Sequence, residues 1–444
     1  MMAMPQARAP EADGREQIEA LFDRLWPLMR SLTGEGVRAT HDILSEYVPL
    51  QRTEVPSGTR VFDWIVPQEW VVRGAYVIAP DGRRILDVAD NNLRLVNYSI
   101  PFRGVLSRAA LDRHLHSRPD MPDAIPYVTS YYEPRWGFCL SQNEREALPE
   151  GDYEVVVDTE LKDGALTISE AVLPGLEADE VLISTYTCHP SLANNELSGP
   201  LAAAMLYRRL AAWPERRLTY RFVFVPETIG AIAYLALRGD HLRENLIAGY
   251  VATCCGLNTH FTYKRSRRGS SLADRAALHA LKMLGAECRV RDFAPTGSDE
   301  RQYCSPGFNL PVGSLIRGAY GEYPEYHTSF DNKSLIDFAA LHGTIDAYEA
   351  ICRTLDRNVT FENLLPFGEP QLGRRGLYPT LGAPDQATRV QALMWVLNLS
   401  DGEHDLLSLA ERSGLSVDQL WSAATAAEKA GILRQLCVDG AVRG

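Results

Sequence analysis

Three residues carry the chemistry this chain could do. His189 follows the apolar run Val181-Leu182-Ile183, in the stretch CHPSLANNELSG. Glu227 follows Val223-Phe224-Val225, in PETIG, and His327 stands in EYHTSFD, ahead of a long helical stretch. In an open α/β sheet, ligands bind at the carboxyl ends of the strands, which is where such loops lie. Two imidazoles and an oxygen donor can hold a hydrolytic metal and leave one position for water. A glutamate that is not itself a ligand can take the proton from that water. Alone, His189 reads as a satisfied loop histidine and Glu227 as an acid favoured by a helix N-terminus. Their joint placement points to a site.

The elements that must position these residues follow from the pattern of the chain. With 444 residues it is too long for one core, so two or three domains are expected. Residues 15 to 48 have a helical period, with Ile18, Leu21, Phe22, Leu25, Met29 and Leu32 on one face. From about 51 to 169 short strands alternate with turns, and aromatics are dense, Tyr127, Tyr131 and Trp136 among them. These aromatics read as core. From Glu180 strands alternate with helices: 181–186, 197–211, 220–225, 229–238, 248–253, 271–284, 289–291, 312–316 and a long helix 333–355. That alternation implies a mostly parallel sheet covered on both faces. Residues 357 to 385 are rich in Pro and Gly and read as a linker. The remainder, 386–444, reads as three helices and a strand from 432 to 438, a winged helix in outline.

The expected fold is therefore α/β: a mostly parallel mixed sheet with helices on both faces. Residues 15–50 and 170–356 form the main domain, 51–169 a β-rich insertion and 386–444 a winged helix. The formal net charge of -12 disfavours nucleic acid and anionic membranes as partners. No apolar run reaches the length of a membrane span. Residues 1 to 14 read as a polar tail rather than a signal, and the eight cysteines form no CxxC pair, so reduced thiols in the cytoplasm are expected. The last 59 residues hold five Lys or Arg against seven Asp or Glu. A DNA reader needs the opposite balance, so a protein partner or a second copy is the expected contact of the winged helix.

Several motifs resemble the co-catalytic zinc aminopeptidases, α/β peptidases with a phosphorylase-like fold. More closely, the chain is similar to an aminopeptidase-like subgroup with an inserted β-domain and a C-terminal winged helix. The likeness rests on Phe62-Asp63-Trp64, Tyr98-Ser99-Ile100-Pro101, Trp136-Gly137-Phe138-Cys139, Cys188-His189-Pro190-Ser191, Pro226-Glu227-Thr228-Ile229-Gly230, Ser298-Asp299-Glu300-Arg301 and Glu325-Tyr326-His327-Thr328-Ser329. The resemblance implies His189 and His327 as ligands of one zinc ion and Glu227 as general base. Thr228 stands where a second glutamate would bind another zinc, and Thr253, Cys254 and Cys255 stand where an aspartate ligand is expected. Asn195 occupies the place of the aspartate that would complete the remaining site. Its amide oxygen is neutral, so zinc would be held weakly. Cys188, Cys254 or Asp299 are the candidates to substitute. Arg301, Tyr303 and Glu325 are candidate grips for a substrate's carboxylate or amine. Cys188 and His189 are expected to point to opposite faces, as neighbours on an extended strand do.

The function implied is hydrolysis of an amide in a small peptide or aminoacyl conjugate. Two rivals stand beside it: a binding protein that kept the cleft and lost the metal, with Asn195 as its evidence, and a non-hydrolytic biosynthetic enzyme using the same cleft.

Overall fold

The computed structural model describes residues 10–377 and 386–436. The expected tail falls mostly outside these residues, as do Cys437 and the end of the expected wing strand. At the centre is an eight-stranded sheet: β1 (Gln51–Pro56), β2 (Ala165–Leu173), β3 (Glu180–Tyr186), β4 (Thr219–Val225), β5 (Leu246–Ala252), β6 (Phe261–Lys264), β7 (Cys288–Arg291) and β8 (Val312–Arg317). Their spatial order is β1-β2-β4-β3-β5-β8-β6-β7. The inner four, β4-β3-β5-β8, are mutually parallel. β2 runs antiparallel to β4 and β1, and β6 antiparallel to β8. Every residue of β3 and β4 is buried, as central strands between two helical layers should be, and the charged pair Arg221 and Glu180 is satisfied by mutual hydrogen bonds at 2.8 Å.

One helical layer holds α1 (Pro10–Leu25), α3 (Ser198–Ala211), α5 (Leu272–Met283) and α6 (Phe338–Asp356); α2 (Glu35–Ser45) follows α1 in the chain. The other holds α4 (Ile229–Asn245). The last long helix begins at Phe338 rather than Lys333, because the Asp337 side chain accepts from the Ala339 and Ala340 N–H groups and caps it there. At the start of α3, a Cβ on Gly199 would lie 2.3 Å from the Ala252 carbonyl oxygen. That close approach presses the turn before α3 against the end of β5.

The insertion is built on a four-stranded antiparallel sheet of Arg84–Ile85, Glu69–Ile78, Asp152–Lys162 and Phe102–Ser107. Its expected start at residue 51 is corrected: Gln51–Pro56 pairs with β2 and is the edge of the main sheet. Residues 60–65 form a small ribbon of Arg60–Val61 against Trp64–Ile65.

The C-terminal unit contains α7 (Gln386–Leu399), α8 (Leu406–Ser413) and α9 (Val417–Lys429). Its sheet reaches back into the stretch expected as linker: Thr360–Asn363 is the middle strand between Asp401–Asp405 and Leu433–Gln435. The first turn of α9 is spent on the main domain. Val417 N–H donates to His279 Nε2 at 3.3 Å, and Asp418 pairs with Arg357 at 2.7 Å. Among the described residues no helix is long and apolar enough to cross a membrane.

Candidate active site

β3 delivers His189 beyond its carboxyl end. A wide helical turn, Ala193–Leu197, then leads into α3. Asp331 holds that turn from the far side of the cleft: its two oxygens accept from the Asn194 and Asn195 N–H groups at 2.6 and 2.9 Å. Burial pushes the Asp331 carboxyl up to about 6. The turn presents Asn195 and Glu196, both about 1 % exposed.

Glu196 Oε2 lies 2.8 Å from His189 Nδ1. The other face of the ring looks at Glu227, with Nε2 3.6 Å from Oε2. His327 comes from the loop after β8, its ring centre 5.6 Å from that of His189. Burial, then the neighbouring His189, holds the His327 imidazolium down at about 3, so the ring is neutral at pH 7. Glu227 is raised above the ordinary carboxylate range by burial, against the pull of His189 and Arg301. His189 is raised as well. Burial opposes its charge while Cys188 and Glu196 favour it. Since burial also lifts the Cys188 thiol to about 11, Glu196 is the working partner.

Backbone strain gathers here. Ser191, Thr228, Cys254 and His327 all have positive φ, at 43°, 66°, 48° and 55°. A β-branched residue at φ 66° is an outlier that persists only where surroundings enforce it. Asp299, fully buried, does so by accepting the Thr228 N–H at 2.7 Å.

The structure thus brings His189, Glu227 and His327 close together, with Arg301 near Glu227 through its 2.9 Å bond to Thr228 Oγ1. Asn195 is linked to them through Tyr186, whose hydroxyl accepts from Asn195 Nδ2 at 3.0 Å and whose ring centre lies 5.3 Å from that of His189. Tyr303 is a correction. It is fully buried, bonded to Ser184 Oγ at 2.8 Å, and supports the sheet instead of facing a ligand. Glu325 is half-buried, and its carbonyl oxygen accepts from the Thr328 N–H at 3.1 Å. The expected divergence of Cys188 and His189 is also corrected. Their Sγ and Nδ1 are 3.4 Å apart, because the strand ends at Tyr186 and alternation lapses beyond it.

Sequence reasoning missed Glu196, Arg30, Tyr127 and Tyr131. Arg30 is fully buried. It donates from Nε to the His189 carbonyl oxygen at 2.8 Å and stands 3.9 Å from Glu196. Tyr127 and Tyr131, read as core of the insertion, reach the site instead. The Tyr127 ring centre is 5.0 Å from that of His189 and 5.3 Å from that of His327, and its hydroxyl meets that of Tyr131 at 2.9 Å. The segment that carries Tyr127 is stitched to the His327 loop. Tyr127 N–H donates to the His327 oxygen and Ser329 N–H to the Ile125 oxygen, both at 2.8 Å.

His327 Nε2 and Asn195 Oδ1 are buried without a hydrogen-bond partner, a costly state that a ligand relieves. His189 Nε2 has only Glu227 before it, beyond hydrogen-bond distance. Two imidazoles on one tetrahedral ion hold their ring centres roughly 5 to 6 Å apart, as these rings do. These donors fit one ion in number and atom type, although none is anionic. Cys188, His189 and Glu196 also place donor atoms within 4.8 Å of one another. That set uses the Nδ1 already taken by Glu196, with the cationic Arg30 alongside, and does not fit an ion.

Comparison with known proteins bears on the fold and the family. A zinc aminopeptidase of Bacillus subtilis, BSAP, superposes with a TM-score of 0.57 at 12% identity, over 78% of this chain and 95% of that one. At that identity the likeness is one of fold: this chain has the aminopeptidase-like fold. A crystal structure of a "putative peptidase" from Clostridium acetobutylicum superposes with a TM-score of 0.90 at 41% identity, over 96% of this chain and 97% of that one. A protein of the same organism, named "Putative polysaccharide biosynthesis protein with aminopeptidase-like domain", is 42% identical over 419 residues, 94% of this chain and 96% of its own length. Residues 359–435 match a winged helix-turn-helix family, so the unit begins well before the expected residue 386. Residues 19–358 match the family described as "Domain of unknown function (DUF4910)", and to that family the chain belongs.

Proposed function

We propose that this protein is a metal-dependent hydrolase that cleaves an amide in a small peptide or aminoacyl conjugate. One observation carries the reading: His327 Nε2 and Asn195 Oδ1 are buried without a hydrogen-bond partner among the described residues, and the His327 ring lies beside the facing pair His189 and Glu227. His189, Asn195 and His327 would hold one zinc ion, which when bound supplies Lewis acidity toward a carbonyl and a water. Glu227 accepts the water's proton at a carboxylate oxygen and returns it to the leaving nitrogen. Burial raises its carboxyl above the ordinary range, which eases the hold on that proton before it is passed on. Glu196 accepts the Nδ1–H of His189, which leaves the Nε2 lone pair facing the cleft. Tyr127 and Tyr131 wall the cleft and exclude bulk water.

Seven free cysteines among the described residues suit the cytoplasm as the compartment in which it works. The acidic C-terminal unit, with the first turn of α9 already docked, supports a protein contact over a nucleic-acid one.

The test is Glu227→Gln in zinc-loaded full-length protein, assayed on aminoacyl amides and dipeptides. Turnover should fall by about 10² to 10⁴-fold with zinc affinity kept. Absence of both zinc binding and turnover in the unmodified protein would overturn the reading. Asn195, a neutral amide among the donors, favours a second reading: a binding protein built on the same cleft.

A further inference from the structure

We propose that Arg301 is the anion receptor of this site, so that the substrate carries a carboxylate close to its scissile amide. The proposal rests on the hydrolase reading and narrows its substrate.

Arg301 lies on the short helix Glu300–Tyr303, beside the general base. Its Nη2 is fixed by Thr228 Oγ1 at 2.9 Å, and Thr228 is itself pinned through its N–H to Asp299. The guanidinium is near enough to act on both Glu227 and Asp299, yet it forms no ion pair among the described residues. Its Nε is buried without a partner, while the residue as a whole is only half-buried. The contrast with other arginines is instructive. Arg30 spends Nε and Nη1 on carbonyl oxygens, and Arg221 pairs with Glu170 and Glu180. Of these three, only Arg301 is half-buried and keeps its Nε unpartnered among the described residues.

A guanidinium offers five N–H donors and no acceptor. It takes a carboxylate in a two-pronged grip and repels an ammonium group. A free amine placed against the guanidinium would meet like charge and, from Arg301 itself, no acceptor. The substrate end that lies there is therefore anionic.

The experiment uses the full-length zinc-loaded chain and two matched pairs of probes. Alanyl-alanine and its C-terminal amide differ by a carboxylate on the leaving-group side. N-succinyl- and N-acetyl-alanine amide differ by one on the acyl side. In one pair the charged member should have a kcat/KM about 10- to 100-fold higher, through KM. Arg301→Gln should erase that preference, and Arg301→Lys should keep part of it. Equal handling of both pairs by the unmodified protein would overturn the proposal. So would an Arg301→Gln variant that loses kcat alike on charged and neutral probes, since Arg301 would then act only on Glu227. If no probe is cleaved, the hydrolase reading fails by itself, and calorimetry of the same pairs decides. Tighter binding of a charged member, lost in Arg301→Gln, upholds Arg301 as the receptor; equal binding overturns it.

Discussion

Removing the charge of Glu196 should weaken metal binding without touching any proposed ligand atom. The side chain is fully buried, 2.8 Å from His189 Nδ1 and 3.9 Å from the buried Arg30 guanidinium. Glu196→Gln keeps an acceptor for the Nδ1–H but turns a charge-assisted bond into a neutral one, about half as strong. Partners that support a ligand histidine are typically worth 10- to 100-fold in metal affinity. Glu196→Gln should therefore raise the zinc Kd about tenfold, and Glu196→Ala, which leaves Nδ1 without an acceptor, about a hundredfold. A second effect comes from Arg30. Without Glu196 its charge is buried and uncompensated, a situation that costs about 3 to 5 kcal/mol. Metal-free Glu196→Gln should accordingly unfold at lower urea than the unmodified chain. The assay is zinc competition against a chromophoric chelator, with urea unfolding of the metal-free proteins alongside. A zinc Kd within twofold of the unmodified value in both variants would refute the reasoning, because His189 would then need no support from behind.

Asn195→Asp replaces a neutral donor by an anionic one and should tighten zinc at least tenfold in the same competition assay; an unchanged Kd would remove Asn195 from the ligand set. His41 offers a pH test remote from the cleft. It is fully buried between Ser169 Oγ and Thr187 Oγ1, and burial, then Arg52, lowers it from 6.5 to about 3. The unfolded chain thus binds more protons in that window, and stability present above 6.5 is lost as pH falls toward 3. His41→Gln should flatten the stability–pH slope below 6.5 by about 1.4 kcal/mol per pH unit, read from urea unfolding at a series of pH values.

The strands that carry the site were legible because β3 and β4 are buried throughout and contain the apolar runs Val181-Leu182-Ile183 and Phe222-Val223-Phe224-Val225, followed by polar residues. His189 and Glu227 stood out for the same reason, and His327 by its place ahead of the last long helix. Glu196 did not, since an acid at a helix start has an ordinary explanation, and only the wide turn before α3 reveals that it faces His189. Tyr127 and Tyr131 were hidden among aromatics that do form the insertion's core, such as Trp136 and Phe138. Strand β1 was misassigned to the insertion because it is largely exposed and its partner lies more than a hundred residues on. Tyr303 erred the other way: it neighbours Arg301 in the chain but sits on the inner side of a single helical turn.

The stitching of residues 125–127 to 327–329 ties together two stretches about two hundred residues apart in the chain. A loop bearing a proposed ligand, with His327 in a left-handed conformation, is propped partly by a segment of the β-rich unit. Trimming that unit would cut the guy-rope of His327, so deletion should be tolerated only where the loop acquires another anchor.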